Sequence, residues 1–245
     1  LFVPSGGFIE SYNFSVALAE EAIINGGVVK LSFETKKISR LNDGFKLVSK
    51  EGEKVLTKVL INACGAGVND INKLLKAETY DYVFRRGEYF VLDRSCSNFV
   101  SHPVFPLPTE VSKGILVSPT IHGNVLIGPT SIISDNDTKT TKEGLNKIKL
   151  DASKTFCDIP YRENIRVFSG VRVVLGDDFL IEKSEKVDNL ITLAGICSPG
   201  LSASPAIAEF VAKMLGLNPE AEIVGLSPRK PRTILNGLSL AEQNK

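Results

Sequence analysis

The segment GICSPGLSASPAIAEFVAKML, residues 195–215, constrains the fold of this chain more than any other stretch of its sequence. The apolar run LITLA ends directly in Gly195, and two glycines and two prolines fall between Gly195 and Pro205, before an apolar-periodic helix that Gly216 stops. A glycine-rich turn that opens a helix lets the backbone approach a ligand closely and points the helix N-terminus at negative charge. A tight strand-to-helix connection without a ligand explains the stretch equally well, so both interpretations stand at this point.

A second junction of the same kind lies in LINACGAGVNDI, where Gly65 and Gly67 follow another apolar strand. Both junctions fit the carboxyl edge of one parallel sheet, which is where open α/β sheets bind ligands. Neither junction is a G-x-G-x-x-G fingerprint, and no strand of the chain carries one. The sequence therefore predicts a ligand-binding sheet edge without a complete dinucleotide-binding unit.

The first part of the chain predicts alternating helix and strand. Apolar positions at helical spacing predict a helix from Tyr12 to Asn25, and VVKLSFE alternates as a strand does. A turn at Asn42–Gly44 joins TKKISRL to FKLVSK as a hairpin, and KVLTKVLINAC predicts one largely buried strand. A short helix is expected near Val68 to Leu75. This order of elements is typical of an α/β fold.

The middle and the end of the chain predict a mostly antiparallel sheet followed by a return to strand and helix. The strands are expected at YVFRRGEYFVLD, GILVSPTI and NVLIGPTS, with a turn at His122 and Gly123 between the last two. A helix from Leu145 to Phe156, the strand IRVFSGVRVV, the strand DNLITLAGICS and the helix AIAEFVAKMLG follow. From Asn218 onward the apolar periodicity is lost, which predicts a linker or arm.

Composition and charge exclude several classes of protein. Among 245 residues 43% are apolar and 23% are charged, with a net charge of +1, so neither a disordered chain nor a strongly basic nucleic-acid binder is indicated. Four dispersed cysteines without a C-x-x-C pair argue against a zinc site and for a reducing compartment. No long apolar run or signal sequence is visible, so we expect a soluble, cytoplasmic protein with at most peripheral membrane contact. Because the chain opens with Leu1 and its one methionine is Met214, we expect a piece of a longer polypeptide.

The segments RRGEYFVLD, GILVSPTIHGNVLIGPTS, SGVRVVLGDDFLIE and LITLAGICSPGLSASPAIAEFVAKML occur in this order. Together they resemble the FAD-dependent glycerol-3-phosphate dehydrogenases and L-2-hydroxyglutarate dehydrogenases of the D-amino-acid-oxidase (DAO) superfamily, over about Pro4 to Leu217. Members begin with a Rossmann strand that carries the glycine fingerprint, and this chain starts after that point. Some bacterial members continue into an iron-sulfur-binding domain, which makes such a domain or an electron-transfer subunit a possible partner.

The resemblance implies an α/β (α+β) fold that combines an incomplete FAD-binding Rossmann-like part with a mostly antiparallel substrate-binding sheet. It implies a partial FAD-binding domain over residues 1–78, the substrate-binding sheet over 79–175, a return to the FAD-binding domain over 176–217 and a linker or arm over 218–245.

The same resemblance assigns cofactor-binding residues. In relatives the turn equivalent to residues 195–201 lies against the isoalloxazine ring of FAD, and backbone N–H groups of the following helix stabilise negative charge on reduced flavin. The residues implied here are Gly195, Ser198, Pro199, Gly200 and Leu201. The strand end at Ala63, Cys64 and Gly65 is expected near the ribose and pyrophosphate, and the backbone of Lys36 near the adenine.

On the substrate side, Arg172 in SGVRVV matches the arginine with which relatives pair the anionic end of the substrate. Its planar fork suits a carboxylate or a phosphate alike, while a surface arginine on a strand is the alternative. Tyr89 is a candidate hydrogen-bond donor to substrate, and packing is its alternative role. His122, in a turn, and His102, before a proline, are weaker candidates for a base or a substrate ligand.

The resemblance thus implies an enzyme that oxidises a secondary alcohol next to an anionic group by hydride transfer to flavin, with a small anionic substrate. The first expected substrate is sn-glycerol 3-phosphate, and the alternatives are L-2-hydroxyglutarate or, within the superfamily, an amine or amino acid. A different hypothesis is an inert binding module without flavin, because the fingerprint strand is absent from the sequence. We expect the 245-residue chain alone to purify colourless, and a stoichiometrically yellow preparation would contradict this.

Overall fold

The computed structural model describes residues 1–107, 114–218 and 225–230. These form two units, the first containing residues 1–9 and 32–218 and the second containing residues 10–31 and 225–230. In chain order the described residues form helix α1 (Ser11–Ile24), strands β1 (Thr35–Leu41), β2 (Gly44–Ser49), β3 (Lys54–Thr57) and β4 (Leu60–Asn62), helix α2 (Val68–Leu75), strands β5 (Val83–Leu92), β6 (Leu116–Pro119), β7 (Val125–Gly128) and β8 (Ile132–Ile133), helix α3 (Lys142–Ala152), strands β9 (Asn164–Val174), β10 (Leu180–Lys183) and β11 (Leu190–Ala194), and helix α4 (Gly200–Met214).

The parallel pair of strands that the glycine junctions predict is present. Strand β11 pairs parallel with β4, with Leu190 opposite Leu60 and Thr192 opposite Asn62, and β10 pairs antiparallel with the other side of β11. Every residue of the LITLA strand β11 is buried, as expected for a continuous apolar run covered on both faces. Both glycine turns therefore leave the carboxyl ends of neighbouring parallel strands.

The middle of the chain forms the expected antiparallel sheet. Its strand order is β6-β7-β5-β8, and β9 pairs with β5 over ten residue pairs, from Val83 opposite Val174 to Leu92 opposite Asn164. Helix α3 covers one end of this sheet, where Leu92 and Ile148 lie in a fully buried apolar cluster. Thr141 caps α3 by accepting a hydrogen bond from the N–H of Gly144, so the helix begins at Lys142, earlier than the apolar periodicity predicts.

A buried carboxylate joins α3 to strand β5. The side chain of Glu88 is fully buried and accepts hydrogen bonds from the hydroxyl of Thr141 at 2.9 Å and from its backbone N–H at 3.2 Å. Arg86 Nε lies 3.0 Å from Glu88 Oε1 as an ion pair, although its N–H is not directed at that oxygen. A methyl group on Gly144 would lie 2.2 Å from the same carboxylate, which explains the glycine in the first turn of α3.

Two strand predictions are wrong. VVKLSFE forms no strand, and Val28 and Leu31 are 80% and 84% exposed, because no neighbouring strand pairs with this stretch among the described residues. KVLTKVLINAC forms two strands instead of one. The first, β3, joins β1 and β2 in a separate antiparallel sheet, whereas β4 pairs with β11, so the chain changes sheets between Thr57 and Leu60.

The remaining helices follow the sequence closely. Helix α2 has the predicted bounds, and α1 begins where the Glu10 side chain accepts hydrogen bonds from the N–H groups of Tyr12 and Asn13. Helix α4 begins at Gly200, before the predicted AIAEFVAKMLG, because the Ser204 hydroxyl bonds the carbonyl of Leu201 that the N–H missing from Pro205 would otherwise reach. The linker or arm predicted from Asn218 onward lies outside the described residues, apart from Asn218 itself and 225–230. Within the described ranges no helix is long and apolar enough to cross a membrane.

Candidate functional site

The first glycine turn leaves β4 at the surface. Ala63, Cys64 and Gly65 are exposed, and Gly65 adopts φ +54°, a left-handed conformation that favours glycine. A methyl group at Gly65 would meet no atom within 4 Å, so the backbone faces open space. Partial burial raises the pKa of the Cys64 thiol, which disfavours a thiolate nucleophile at this position. The turn thus offers accessible backbone to a ligand.

A buried polar network holds this turn in place. Asn62 donates from its side-chain amide to Asn72 Oδ1 at 2.8 Å and to the carbonyl of Val68 at 2.9 Å, and Asn72 donates to Thr192 Oγ1 at 3.2 Å. All three side chains are buried, and together they join α2 to the parallel strands β4 and β11. No prediction from the sequence included this network, although polar residues inside two apolar strands were a signal for it.

The second glycine turn, Gly195–Pro199, is packed tightly against the end of β9. Gly195 is buried with φ +67°, and a methyl group there would lie 2.7 Å from Leu175 Cβ and 3.3 Å from Leu175 N. At Gly200 a methyl group would lie 2.6 Å from Ile196 Cγ2. Glycine is required at both positions for packing within the protein, so these two glycines shape the turn, while Gly65 leaves space free.

Alanine at Gly195 therefore lowers the free energy of unfolding by about 2–4 kcal/mol, since it adds left-handed strain to overpacking against Leu175. Chemical denaturation monitored by circular dichroism measures the change. Gly67→Ala is the matched control, because its methyl group would meet only Cys64 Cβ at an ordinary 3.7 Å. Equal stabilities of the two variants would refute this account of the turn.

Helix α4 presents its N-terminal turn beside these glycines. The carbonyl of Pro199 accepts hydrogen bonds from Ala203 N at 3.0 Å and from the Ser202 hydroxyl at 2.9 Å. Ser204 donates its hydroxyl to the carbonyl of Leu201 at 2.8 Å, which replaces the N–H that Pro205 lacks. The first N–H groups of a helix have no acceptor within it, so this end carries the positive pole of the dipole.

A cavity of about 570 Å³ collects five of the predicted site residues: Gly65, Arg172, Ser198, Pro199 and Leu201. Its lining comes from four places in the first unit: the segment before α1, the β4 turn, the turn before α4 with the first turn of α4, and the end of β9. The lining residues are Ile9, Gly65, Ala66, Val171, Arg172, Val173, Ile196, Cys197, Ser198, Pro199, Leu201 and Ser202. A neighbouring apolar groove of about 630 Å³ between β4, β11 and α4 is lined by Ala63, Gly65 and Gly200, among others. Gly65 lines both.

Arg172 lies on β9 directly opposite Arg85 of β5. Its Nη2 donates to the carbonyl of Thr130 at 2.8 Å, and Arg85 Nη1 lies 3.5 Å from the Ser131 hydroxyl. No carboxylate among the described residues lies within ion-pair distance of either guanidinium. Two positive charges therefore face each other across one pair of strands without a neutralising side chain in that part of the protein.

Tyr89 lies on the same face of the sheet as these arginines. Its ring stacks on Phe168 with centroids 4.9 Å apart, and between the aromatic pair and the arginine pair stands the pair Gly87 and Gly170. A methyl group on Gly170 would meet nothing within 4 Å. Burial raises the pKa of the Tyr89 phenol, while the charge of Arg172 acts in the opposite direction. This face is thus open above Gly170 but covered by Pro129 at Gly87, where a methyl group would lie 2.9 Å from Pro129 Cβ, with aromatic rings at one side and positive charge at the other.

The remaining predicted residues lie elsewhere. His122 is exposed in the turn between β6 and β7, past the Leu92 end of β5, roughly 20 Å along the strand from Arg85. His102 is beside the ring of Phe2 and within 2.8 Å of the Ser101 hydroxyl. Lys36 is exposed on β1, at a shift in the register with β2. The structure does not bring these three residues to the cavity.

Comparisons with known proteins complete the description of the site. A family model described as FAD dependent oxidoreductase (DAO) matches residues 1–214. A glycerol 3-phosphate dehydrogenase of Caloramator mitchellensis is 36% identical over 88% of this chain and 45% of its own length. An L-2-hydroxyglutarate dehydrogenase of Salmonella houtenae is 25% identical over 78% of this chain and 43% of its own length.

Solved structures agree with the sequence comparison. Dithionite-reduced L-alpha-glycerophosphate oxidase from Mycoplasma pneumoniae with FAD bound superposes with a TM-score of 0.75, at 25% identity over 83% of this chain and 55% of that one. The chain thus spans about half the length of the relatives it matches.

Proposed function

Since this chain belongs to the DAO family of FAD-dependent oxidoreductases, we propose that it carries the flavin-facing turn and the substrate-anchoring arginine of an enzyme that oxidises sn-glycerol 3-phosphate. The observation that carries the proposal is the convergence of Gly65, the turn before α4 and Arg172 on one cavity. The similarity to a glycerol 3-phosphate dehydrogenase favours the substrate.

The residues present fit a flavin. Gly65 offers backbone beside open space, and the Gly195–Pro199 turn and the first turn of α4 border the cavity, where the N–H of Gly200 is already bonded to the carbonyl of Cys197. Ser198, Pro199 and Leu201 would hold the ring, in a turn that Gly195 and Gly200 shape, and Ala63, Cys64 and Gly65 would hold the ribose and pyrophosphate. When bound, FAD accepts a hydride from the substrate carbon. The positive end of α4 would stabilise negative charge on the ring.

The chain's own residues would bind and orient the substrate. Arg172 would pair with its anionic end through a planar fork, and the hydrogen bond to Thr130 holds the guanidinium in place. Tyr89 is proposed as a hydrogen-bond donor on the same face, since its raised pKa keeps the phenol protonated. Neither of the chain's two histidines lines the cavity, so we assign to the described residues a positioning role rather than proton transfer.

The test uses the protein expressed from its complete reading frame, mixed without oxygen with glycerol 3-phosphate, L-2-hydroxyglutarate or glycine. We expect glycerol 3-phosphate to bleach the flavin absorbance fastest, because its phosphate matches the arginine-lined face. Bleaching by L-2-hydroxyglutarate alone would favour that substrate instead, and bleaching by glycine alone would refute an alcohol substrate. A protein that binds no flavin would support the inert binding module.

The broader organisation is proposed on the same basis. Residues 1–78 and 176–217 would contribute to the FAD-binding domain, residues 79–175 to the substrate-binding domain and residues 218–245 to a linker. A cytoplasmic location, an iron-sulfur domain and an electron-transfer subunit stay predictions from the sequence.

A further inference from the structure

We infer that Arg85 and Arg172 together form a clamp for a dianion, which selects a phosphate monoester in its doubly charged form. This inference rests on the proposed function for its setting and adds a second arginine, Arg85, to Arg172. The two arginines are a directly opposed pair on β5 and β9. Opposed side chains of an antiparallel pair lie on one face with their Cβ atoms about 5 Å apart.

The charges of this pair are uncompensated by protein. Like charges directly opposite each other on a sheet are destabilising, and the described residues place no carboxylate within ion-pair distance of either one. Both side chains are anchored on the same segment, Arg172 at the carbonyl of Thr130 and Arg85 near the hydroxyl of Ser131. These contacts hold the two guanidinium groups on one face although their charges repel each other. An anion site requires two positive groups held close together in this way.

The space beside the pair is open to a small ligand. Gly170 lies two residues before Arg172 on the same face of β9, and no atom lies within 4 Å of where its methyl group would stand. Arg172 also lines the cavity that the positive end of α4 borders. A phosphate dianion brings two negative charges and three terminal oxygens to the two planar forks, whereas a single carboxylate brings one charge and two oxygens. The geometry therefore favours a doubly charged group over a carboxylate monoanion.

The test measures binding of inorganic phosphate by calorimetry to the protein from its complete reading frame. We expect Arg85→Gln to weaken phosphate binding by about tenfold to a hundredfold, since one charge-assisted hydrogen-bonding fork is lost. Arg166→Gln is the matched control, because Arg166 points to the same face of β9 as Arg172 but lies about 20 Å away. At that distance the substitution should leave the dissociation constant of phosphate unchanged. Equal dissociation constants for wild type and Arg85→Gln would overturn the clamp.

A second measurement needs no variant and so does not depend on the folding of Arg85→Gln. In the wild-type protein the dissociation constant of phosphate should fall as pH rises through the second ionisation of phosphate, because the clamp selects the dianion. A dissociation constant that does not change over that range would also overturn the inference. Phosphate binding is independent of turnover, so a protein that binds phosphate through Arg85 but leaves glycerol 3-phosphate unoxidised would refute the proposed substrate and keep the clamp.

Discussion

Replacing Arg172 by alanine lowers kcat/KM for glycerol 3-phosphate by about 100- to 1000-fold in the protein from its complete reading frame. The guanidinium is anchored on the Thr130 carbonyl at 2.8 Å and therefore meets the substrate in a fixed position. Without it, the substrate anion loses its planar fork and the opposite Arg85 loses its partner in the clamp. Steady-state kinetics should show the loss mainly as a higher KM, because the arginine binds the substrate before and during the reaction alike.

Two further variants distinguish the positive charge of Arg172 from the planar hydrogen-bonding geometry of its guanidinium. Arg172→Lys keeps the charge but loses the two parallel hydrogen bonds, so we expect an intermediate loss of about tenfold. Arg166→Gln removes a charge from the same strand and should leave the kinetics unchanged. A change of less than about threefold in Arg172→Ala would contradict the role of this arginine, provided that flavin content is the same as in wild type.

Replacing Glu88 by alanine lowers the free energy of unfolding by about 3–5 kcal/mol, because the buried charge of Arg86 is left without its partner. The substitution also removes the acceptor for the backbone N–H and the hydroxyl of Thr141, the residue that caps α3. In thermal unfolding, the melting temperature should fall by roughly 10 °C.

The control for Glu88 is an exposed glutamate. Glu185→Ala removes the same side chain from the surface and should change the free energy of unfolding by less than about 0.5 kcal/mol. Glu88→Gln keeps an acceptor for Thr141 but not the charge, so its loss should lie between the two. If Glu88→Ala were as stable as Glu185→Ala, the network under α3 would contribute nothing measurable.

The sequence predicted those strands and turns that are specified by a few consecutive residues. The LITLA run predicted a buried strand, and the glycines and prolines after it predicted a turn that opens a helix, because both follow from a few consecutive residues. The parallel pairing of β4 with β11 followed from the similarity of the two junctions. The substrate role of Arg172 came from resemblance, since an arginine on a strand has no distinctive pattern of its own.

The features that the sequence did not predict depend on contacts between segments that are far apart in the chain. Arg85 faces Arg172 only because β5 and β9 pair in one particular register, and 86 residues separate the two in sequence. Glu88 is buried because helix α3 covers its face of β5, which alternation within RGEYF does not reveal. VVKLSFE has the apolar and polar alternation of a strand but no partner strand among the described residues, so the strand predicted from this pattern does not form. His122 was a candidate because imidazole can act as a base or bind a substrate. That chemistry does not show how far the turn containing His122 lies from Arg172.

The contact between Gly195 and Leu175 also sets the distance between the turn before α4 and Arg172. No side chain can be inserted between the turn and the end of β9, and only two residues separate Leu175 from Arg172. Main-chain packing consequently fixes the spacing from the proposed ring-binding turn to the backbone of Arg172, and the hydrogen bond to the Thr130 carbonyl holds the guanidinium. A substrate whose anion stood one bond farther from its reacting carbon would be out of register, so chain length as well as charge would be selected.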